Sequence, residues 1–121
     1  MRLQESGEMY LETIYLLLKE RSDVRAIDVG EHMGYSKPSV SRALGILKNG
    51  GYVQTDKDGY LSLTEAGYTA AEKTYTRHCL LTKLFVGLGV DPAQADEDAC
   101  KIEHVISDET FNALLKHAGI K

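Results

Sequence analysis

The stretch that decides the fold runs from Gly34 to Gly51 and reads GYSKPSVSRALGILKNGG. Gly34 is typical of a helix end, because glycine readily takes up the left-handed conformation that closes one. Ser36 can cap the next helix, and Pro38 suits the first turn of that helix. The apolar residues of that helix recur at helical spacing: Val40, Ala43, Leu44 and Leu47. The stretch therefore predicts a tight turn and a helix with one buried face, ended by paired glycines.

The segments on either side of this helix complete a structural motif. The pattern before it predicts an amphipathic helix from its N-cap Ser6 to about Lys19, then a short helix over 27–33. After it, residues 52–55 and 60–63 predict two short strands around a turn rich in Asp and Gly. Helix, helix, turn, helix and hairpin is the order of a winged helix-turn-helix. We therefore predict a winged helix-turn-helix DNA-binding domain over residues 1–63.

The second half of the chain shows only helical patterns. Thr64 can cap a long connecting helix over 64–87. Asp91-Pro-Ala-Gln is a strong signal for the start of a fifth helix, and Ser107-Asp-Glu opens a short last one. The predicted fold class is therefore mainly α, with a helical domain over residues 64–121.

Composition limits the kind of protein. At 121 residues and 43% apolar content the chain is typical of globular proteins, and two cysteines are too few for a disulfide framework. No apolar run approaches the roughly 20 residues that a bilayer requires, and the start MRLQES does not resemble a secretory signal. We therefore expect a cytoplasmic protein without a membrane partner. An enzyme is not expected, because the sequence has no nucleophile elbow, phosphate-binding glycine loop or His-Glu-x-x-His motif.

Charge is distributed unevenly around the net value of −4. Residues 35–57 carry four basic side chains against one acidic side chain, whereas residues 91–109 carry seven acidic side chains against one lysine. A locally basic element can contact phosphates even in an acidic protein, and an acidic stretch can attract cations. For most of its members, a solvated helix surface is the simpler interpretation of the acidic stretch.

Small polar and basic side chains crowd the predicted third helix. Hydroxyl groups and a helix N-terminus bind phosphate oxygens, Arg42 can reach guanine acceptors, and the ring of Pro38 can pack on a thymine methyl group. The candidate DNA contacts are Ser36, Lys37, Pro38, Ser39, Ser41 and Arg42, with Lys57 in the hairpin turn. Ser and Pro also begin helices in proteins that bind no DNA, but the hairpin and the basic excess favour DNA.

A second group of candidate site residues is Cys100, Glu103 and His104. On a helix, residues three and four apart share a face, so a thiolate, a carboxylate and an imidazole would point to one spot. These donors suit borderline or soft divalent metals better than calcium or magnesium. The alternative is a solvated Glu-His pair beside a small buried cysteine.

Three segments of the chain resemble the metal-dependent repressors of the diphtheria toxin repressor family. They are EMYLETIY at 8–15, SKPSVS at 36–41 and ACKIEHVISD at 99–108, and the resemblance covers the chain from about Glu8 onward. The resemblance implies a homodimer that binds palindromic operator DNA when loaded with Fe²⁺ or Mn²⁺ and that controls metal-uptake genes. The chain resembles a short form without the SH3-like domain of the iron regulators.

The same resemblance implies a set of metal ligands. The iron-type primary shell falls on Met9, Cys100, Glu103 and His104. Met9 also lies on an apolar helical stripe, where a methionine is usually part of the core. The sequence thus carries the full set of iron-type primary ligands.

Other positions depart from the iron-type pattern. His78 stands at the first histidine of the ancillary site, but Thr82 occupies a glutamate position and Asp96 a histidine position. Glu12 occupies a position where manganese-type members place a ligand. His78 could instead be a buried histidine without a metal, and Glu12 a surface acid.

We therefore predict a repressor activated by Fe²⁺, because thiolate and thioether donors suit Fe²⁺ better than Mn²⁺. Co²⁺, Ni²⁺ or Zn²⁺ would substitute in vitro. The alternatives are a manganese-responsive member of the same family and a metal-independent winged-helix DNA-binding protein.

Overall fold

The computed structural model describes residues 5–119, with side chains from residue 6 onward; residues 1–4, 120 and 121 of the predicted domains lie outside the described residues. The elements are α1 (Glu5–Glu20), α2 (Ala26–Met33), α3 (Lys37–Asn49), β1 (Val53–Thr55), β2 (Leu61–Leu63), α4 (Glu65–Gly87), α5 (Pro92–Ile102) and α6 (Asp108–Ala118). The predicted order of helices around one hairpin is confirmed, and the fold is mainly α. No helix in this part of the chain is long and apolar enough to cross a membrane.

The chain divides into two compact units, one ending at Glu72 and the other starting at Lys73, inside α4. In the first unit, α1, α2 and α3 pack together. Its largest fully buried side chains include Leu11, Ile14, Val24, Val29, Val40 and Leu47. The inner face predicted for α3 is confirmed at Val40, Leu44 and Leu47, while Ala43 is half-buried.

The hairpin is fastened to the start of α2. Its strands are antiparallel, with Val53 opposite Leu63, and the Leu61 N–H donates to the carbonyl oxygen of Val24 at 2.7 Å. The guanidinium of Arg25 lies over the Tyr60 ring, 4.4 Å from its centroid. These contacts hold the hairpin beside the helical part of the unit.

Most of the predicted helix ends are found where the local sequence placed them. Gly34 closes α2 with a φ of 73°, in the left-handed region. The caps at Ser36, Thr64, Asp91 and Ser107 are confirmed. The cap predicted at Ser6 is wrong, because α1 begins before Ser6 and includes it within its first turn.

In the second unit, α5 and α6 pack against the C-terminal part of α4 through an apolar cluster. A buried cluster joins one residue from each helix: Leu81, Ala99 and Phe111. Partly buried apolar side chains pack around that cluster, and they include Leu80, Phe85, Ile102, Ile106, Leu114 and Leu115. This core fixes the turn between α5 and α6, where Glu103 and His104 lie.

Candidate metal centre and nucleic-acid interface

The predicted DNA contacts all lie on the exposed surface of the first unit. They are Ser36, Lys37, Pro38, Ser39, Ser41, Arg42 and Lys57. The backbone N–H of Ser39 donates to Ser36 Oγ at 3.4 Å, and the two hydroxyl groups are 2.9 Å apart. Ser36 therefore caps α3 as well as presenting a hydroxyl group at the surface.

Lys57 is the basic side chain of the hairpin turn, and Asp56 is an acidic neighbour. The Asp56 carboxylate accepts hydrogen bonds from the backbone N–H groups of Asp58 and Tyr60, each at 2.9 Å. Because those bonds tie Asp56 into the turn, its charge is partly compensated within the hairpin itself. The exposed Lys57 side chain is then placed to contact a phosphate.

The spacing of Cys100, Glu103 and His104 predicted that all three lie on one helix, but only Cys100 lies in α5. α5 ends at Ile102, so Glu103 and His104 belong to the turn that leads to α6. The backbone N–H groups of Val105 and Ile106 both donate to the Ile102 carbonyl oxygen at 3.0 Å, which tightens the chain into a turn. The Glu103 N–H still donates to the Ala99 carbonyl oxygen at 2.9 Å, so Glu103 keeps a near-helical position relative to α5.

Glu103 lies between two imidazole rings. Its carboxylate is fully buried; Oε2 is 2.9 Å from Nδ1 of His78 and Oε1 is 3.3 Å from Nε2 of His104. The His104 side chain is only 1% exposed. A buried carboxylate is costly unless donors or cations surround it, and His78 lies at hydrogen-bond distance from one of its oxygens.

His78 also contacts a second carboxylate, which the list of predicted ligands did not include. Its Nε2 lies 2.7 Å from Oδ1 of Asp96, on α5. Both ring nitrogens thus face carboxylate oxygens, and both can donate only when the ring carries two protons. The only sequence signal for Asp96 was its place at a histidine position of the ancillary site. Thr82, at the glutamate position, donates its hydroxyl group to the His78 carbonyl oxygen at 2.8 Å.

The remaining predicted ligands lie on helices. Cys100 is half-buried on α5, and Met9 and Glu12 are half-buried on α1 of the first unit. Glu12 Oε2 is buried without a hydrogen-bond partner in the described part of the chain. An orphaned carboxylate oxygen of this kind suits a cation or a metal ion.

The donor chemistry of these residues fits a divalent transition metal, although the side chains are not arranged as a closed shell. Among residues 5–119, no three His, Cys, Asp or Glu side chains are placed so that they could hold one ion as they stand. The carboxylate and imidazole groups instead bond to each other. Metal ligands must in general be deprotonated to bind, so ion binding is coupled to proton release.

The comparisons with known proteins identify the class. Residues 2–61 match the family model described as the N-terminal DNA-binding domain of iron-dependent repressors. Residues 64–119 match the model of their metal-binding and dimerisation domain. The chain belongs to this iron-dependent repressor family, whose members are transcriptional repressors rather than enzymes.

Individual relatives agree with the family models. The chain is 33% identical to the diphtheria toxin repressor of Corynebacterium diphtheriae over 115 residues, which are 94% of this chain and 51% of that protein. Among solved structures, the metal-dependent transcriptional regulator MtsR gives a TM-score of 0.86 at 26% identity, covering 95% of this chain and 54% of that one. The manganese regulator SloR gives 0.82 at 28% identity, covering 100% and 56%. The chain thus spans about half the length of these relatives.

Proposed function

We propose that this protein is a transcriptional repressor that binds palindromic operator DNA as a homodimer when loaded with Fe²⁺, and that it controls metal-uptake genes. The observation that carries the proposal is the buried Glu103 carboxylate between His78 and His104. A carboxylate and two imidazoles are strong donors for a divalent metal, and burial removes the water that would compete for them. Membership of the iron-dependent repressor family supplies the DNA-binding part of the proposal.

The proposed ligands are those that the sequence predicted. They are Met9, Glu12, His78, Cys100, Glu103 and His104. A bound divalent ion supplies positive charge that neutralises the carboxylates and the thiolate. His78 and His104 bind it only as neutral rings, so metal binding weakens as the pH falls. The roles of Met9 and Glu12 rest on the resemblance in sequence, and the orphaned oxygen of Glu12 supports them.

Recognition of DNA is assigned to the exposed side chains of α3 and the hairpin. Arg42 is proposed to contact base edges, while Lys37, Lys57 and the hydroxyl groups of the α3 turn contact phosphates. A homodimer would present two copies of α3 to two half-sites, which is why a palindromic operator is expected.

Exposed apolar side chains in the second unit support the homodimer. Leu88 is 73% exposed and Val105 71% exposed, and Val86 adds a third large apolar side chain at the surface. Apolar surface of this kind is commonly covered by a partner subunit. Sedimentation at micromolar concentration tests the dimer directly, and a monomer in the presence of metal would contradict it.

The test of function is a selection from a random duplex library under anaerobic conditions, with Fe²⁺ or with a chelator. We expect a two-fold symmetric sequence to be enriched only with metal. Glu103→Gln should lose metal-dependent enrichment, whereas Glu109→Gln, an exposed acid on α6, should behave like the unmodified protein. Equal enrichment with the chelator would favour the metal-independent alternative.

Two observations favour the manganese-responsive alternative. Glu12 Oε2 is a buried oxygen donor without a partner among the described residues, and Asp96 adds a second carboxylate beside His78. Mn²⁺ prefers oxygen and imidazole donors. Repeating the selection with Mn²⁺ at controlled free concentration distinguishes the two metals.

A further inference from the structure

Arg77 is a buried charged side chain that none of the proposed roles uses. It precedes His78 on α4 and is only 9% exposed. A guanidinium group is rarely buried unless its charge and its N–H groups are satisfied. The groups that contact Arg77 therefore identify the part of the structure that it stabilises.

The partners of Arg77 all follow the candidate ligands in the chain. Nη1 donates to the carbonyl oxygen of Ile106 at 2.7 Å, and Nη2 pairs with the carboxylate of Asp108. The guanidinium also lies over the Phe111 ring, 5.1 Å from its centroid. One side chain thus bonds the end of the α5–α6 turn and the first turn of α6.

The neighbouring residue of α4 holds the beginning of the same turn. His78 Nδ1 is 2.9 Å from Glu103 Oε2. Adjacent residues on a helix point about 100° apart, so Arg77 and His78 reach different points of the turn. His78 thus contacts the beginning of the turn and Arg77 its end, and Glu103 and His104 lie in this turn.

We infer that Arg77 is a positioning residue for the metal ligands, fixing the α5–α6 turn so that Glu103 and His104 are held ready for the ion. This inference rests on the proposed function, because it assigns Arg77 a role at the same metal site. Arginine suits the role because its planar fork donates to a carbonyl oxygen and a carboxylate together, which the single ammonium of lysine does less well. Supporting groups around metal ligands typically change metal affinity by about 10–100-fold when they are removed.

The experiment compares metal affinity and backbone exchange in the full chain. Arg77→Met keeps the length of the buried stem and removes every donor. We expect it to weaken binding of Fe²⁺ or Co²⁺, measured anaerobically by competition with a chelating dye, by about 10–100-fold. Arg77→Lys should fall between Arg77→Met and the unmodified protein. In the metal-free protein, hydrogen exchange at the amides of Val105 and Ile106 should be faster in Arg77→Met.

Two controls separate positioning from general stability. Leu114→Ala truncates a partly buried side chain that packs against the same core cluster and is not among the Arg77 partners described above. It should lower the melting temperature while leaving metal affinity within about threefold. Lys73→Met removes the other cation near Asp108, which is 3.4 Å from Lys73 Nζ, and it should change neither quantity greatly. An equal loss of metal affinity in Leu114→Ala and Arg77→Met, at matched melting temperatures, would overturn the inference.

The remaining outcomes separate this inference from the proposed function. Tight metal binding by the unmodified protein that is unchanged in Arg77→Met overturns the inference and leaves the proposed function standing. Absence of Fe²⁺, Co²⁺ and Mn²⁺ binding by the unmodified protein overturns both, and the selection with a chelator then decides whether DNA binding survives.

Discussion

Met9 and Cys100 are the residues whose donor atoms set the expected metal preference. Thioether and thiolate sulfur bind Mn²⁺ poorly and become better ligands from Fe²⁺ towards the later divalent metals. Replacing both by carboxylates, Met9→Asp with Cys100→Glu, should therefore shift activation towards Mn²⁺. The measurement is DNA affinity against free Fe²⁺ or Mn²⁺ concentration, made anaerobically for both proteins.

Cys79 supplies the matched control for this change, because it is exposed on α4 and has no proposed role at the metal. Cys79→Ser should leave the metal preference unchanged. If the unmodified protein responds to Mn²⁺ at a lower free concentration than to Fe²⁺, the iron assignment is wrong and the manganese alternative stands.

Gly67 has no side chain, and this allows α4 to approach the backbone before the hairpin closely. A Cβ atom at this position of α4 would lie 2.0 Å from the carbonyl oxygen of Tyr52, just before β1. Gly67→Ala must therefore move α4 or the hairpin, and we expect a loss of about 1–3 kcal/mol in the free energy of unfolding, as for other overpacked sites. Urea denaturation followed by circular dichroism measures it.

Gly45 provides the matched comparison at the element scale. It lies inside α3, and nothing lies within 4 Å of a Cβ built on it among the described residues. Gly45→Ala should stabilise the fold by up to about 1 kcal/mol, because alanine favours a helix more than glycine does. Equal effects of the two substitutions would contradict the close approach at Gly67.

The start of α2 carries a pH-dependent contribution to stability. The pKa of Asp28 lies below its usual range, because its carboxylate accepts a hydrogen bond from the Arg25 backbone N–H and also pairs with Arg21. A lowered pKa in the folded state stabilises the fold above the pKa of the unfolded chain, and that stability disappears as the pH falls through the folded value.

Asp28→Ala should therefore lower the free energy of unfolding at neutral pH by about 0.5–2 kcal/mol, as the loss of other helix caps does. The difference in the free energy of unfolding between Asp28→Ala and the unmodified protein should disappear as the pH falls below 3.8, the ordinary pKa of this carboxyl. Denaturant titrations across that pH range measure it. Asp23→Ala removes an exposed partner 3.9 Å from Arg21 and should have little effect at any pH.

Local rules explain which elements the sequence predicted well. The caps at Ser36, Asp91 and Ser107 depend on bonds to backbone groups two or three residues away, so a short stretch contains all the information. The sequence did not indicate that α5 ends at Ile102, because the spacing of Cys100, Glu103 and His104 fits a helix as well as the helix-like turn that follows Ile102.

Contacts between distant residues explain what the sequence did not predict. His78 meets Asp96 and Glu103 across 18 and 25 residues, and Arg77 meets Asp108 across 31 residues. No periodic pattern encodes these pairs, because they depend on how α5 and α6 pack on α4. The resemblance to the repressor family named His78 and Glu103 as ligands but gave no reason to expect the bond between them.

The charge distribution of the whole molecule sets the conditions for DNA binding. With a net charge of −4, the protein as a whole repels phosphate, and the basic excess at residues 35–57 must act at short range. We therefore expect operator affinity to depend on a few contacts that differ in kind.

Arg42 and Lys57 distinguish those contacts. Arg42→Ala should cost about 1–3 kcal/mol in operator affinity and reduce the discrimination between the operator and altered sequences, because a bidentate contact to guanine carries sequence information. Lys57→Ala should weaken binding to all sequences alike and reduce the salt slope by about one, because a phosphate contact carries charge only. Anisotropy titrations at several salt concentrations, with metal saturating, measure both.

Neither variant should change metal affinity, since both side chains belong to the first unit's exposed surface. A loss of discrimination in Lys57→Ala but not in Arg42→Ala would reverse these assignments.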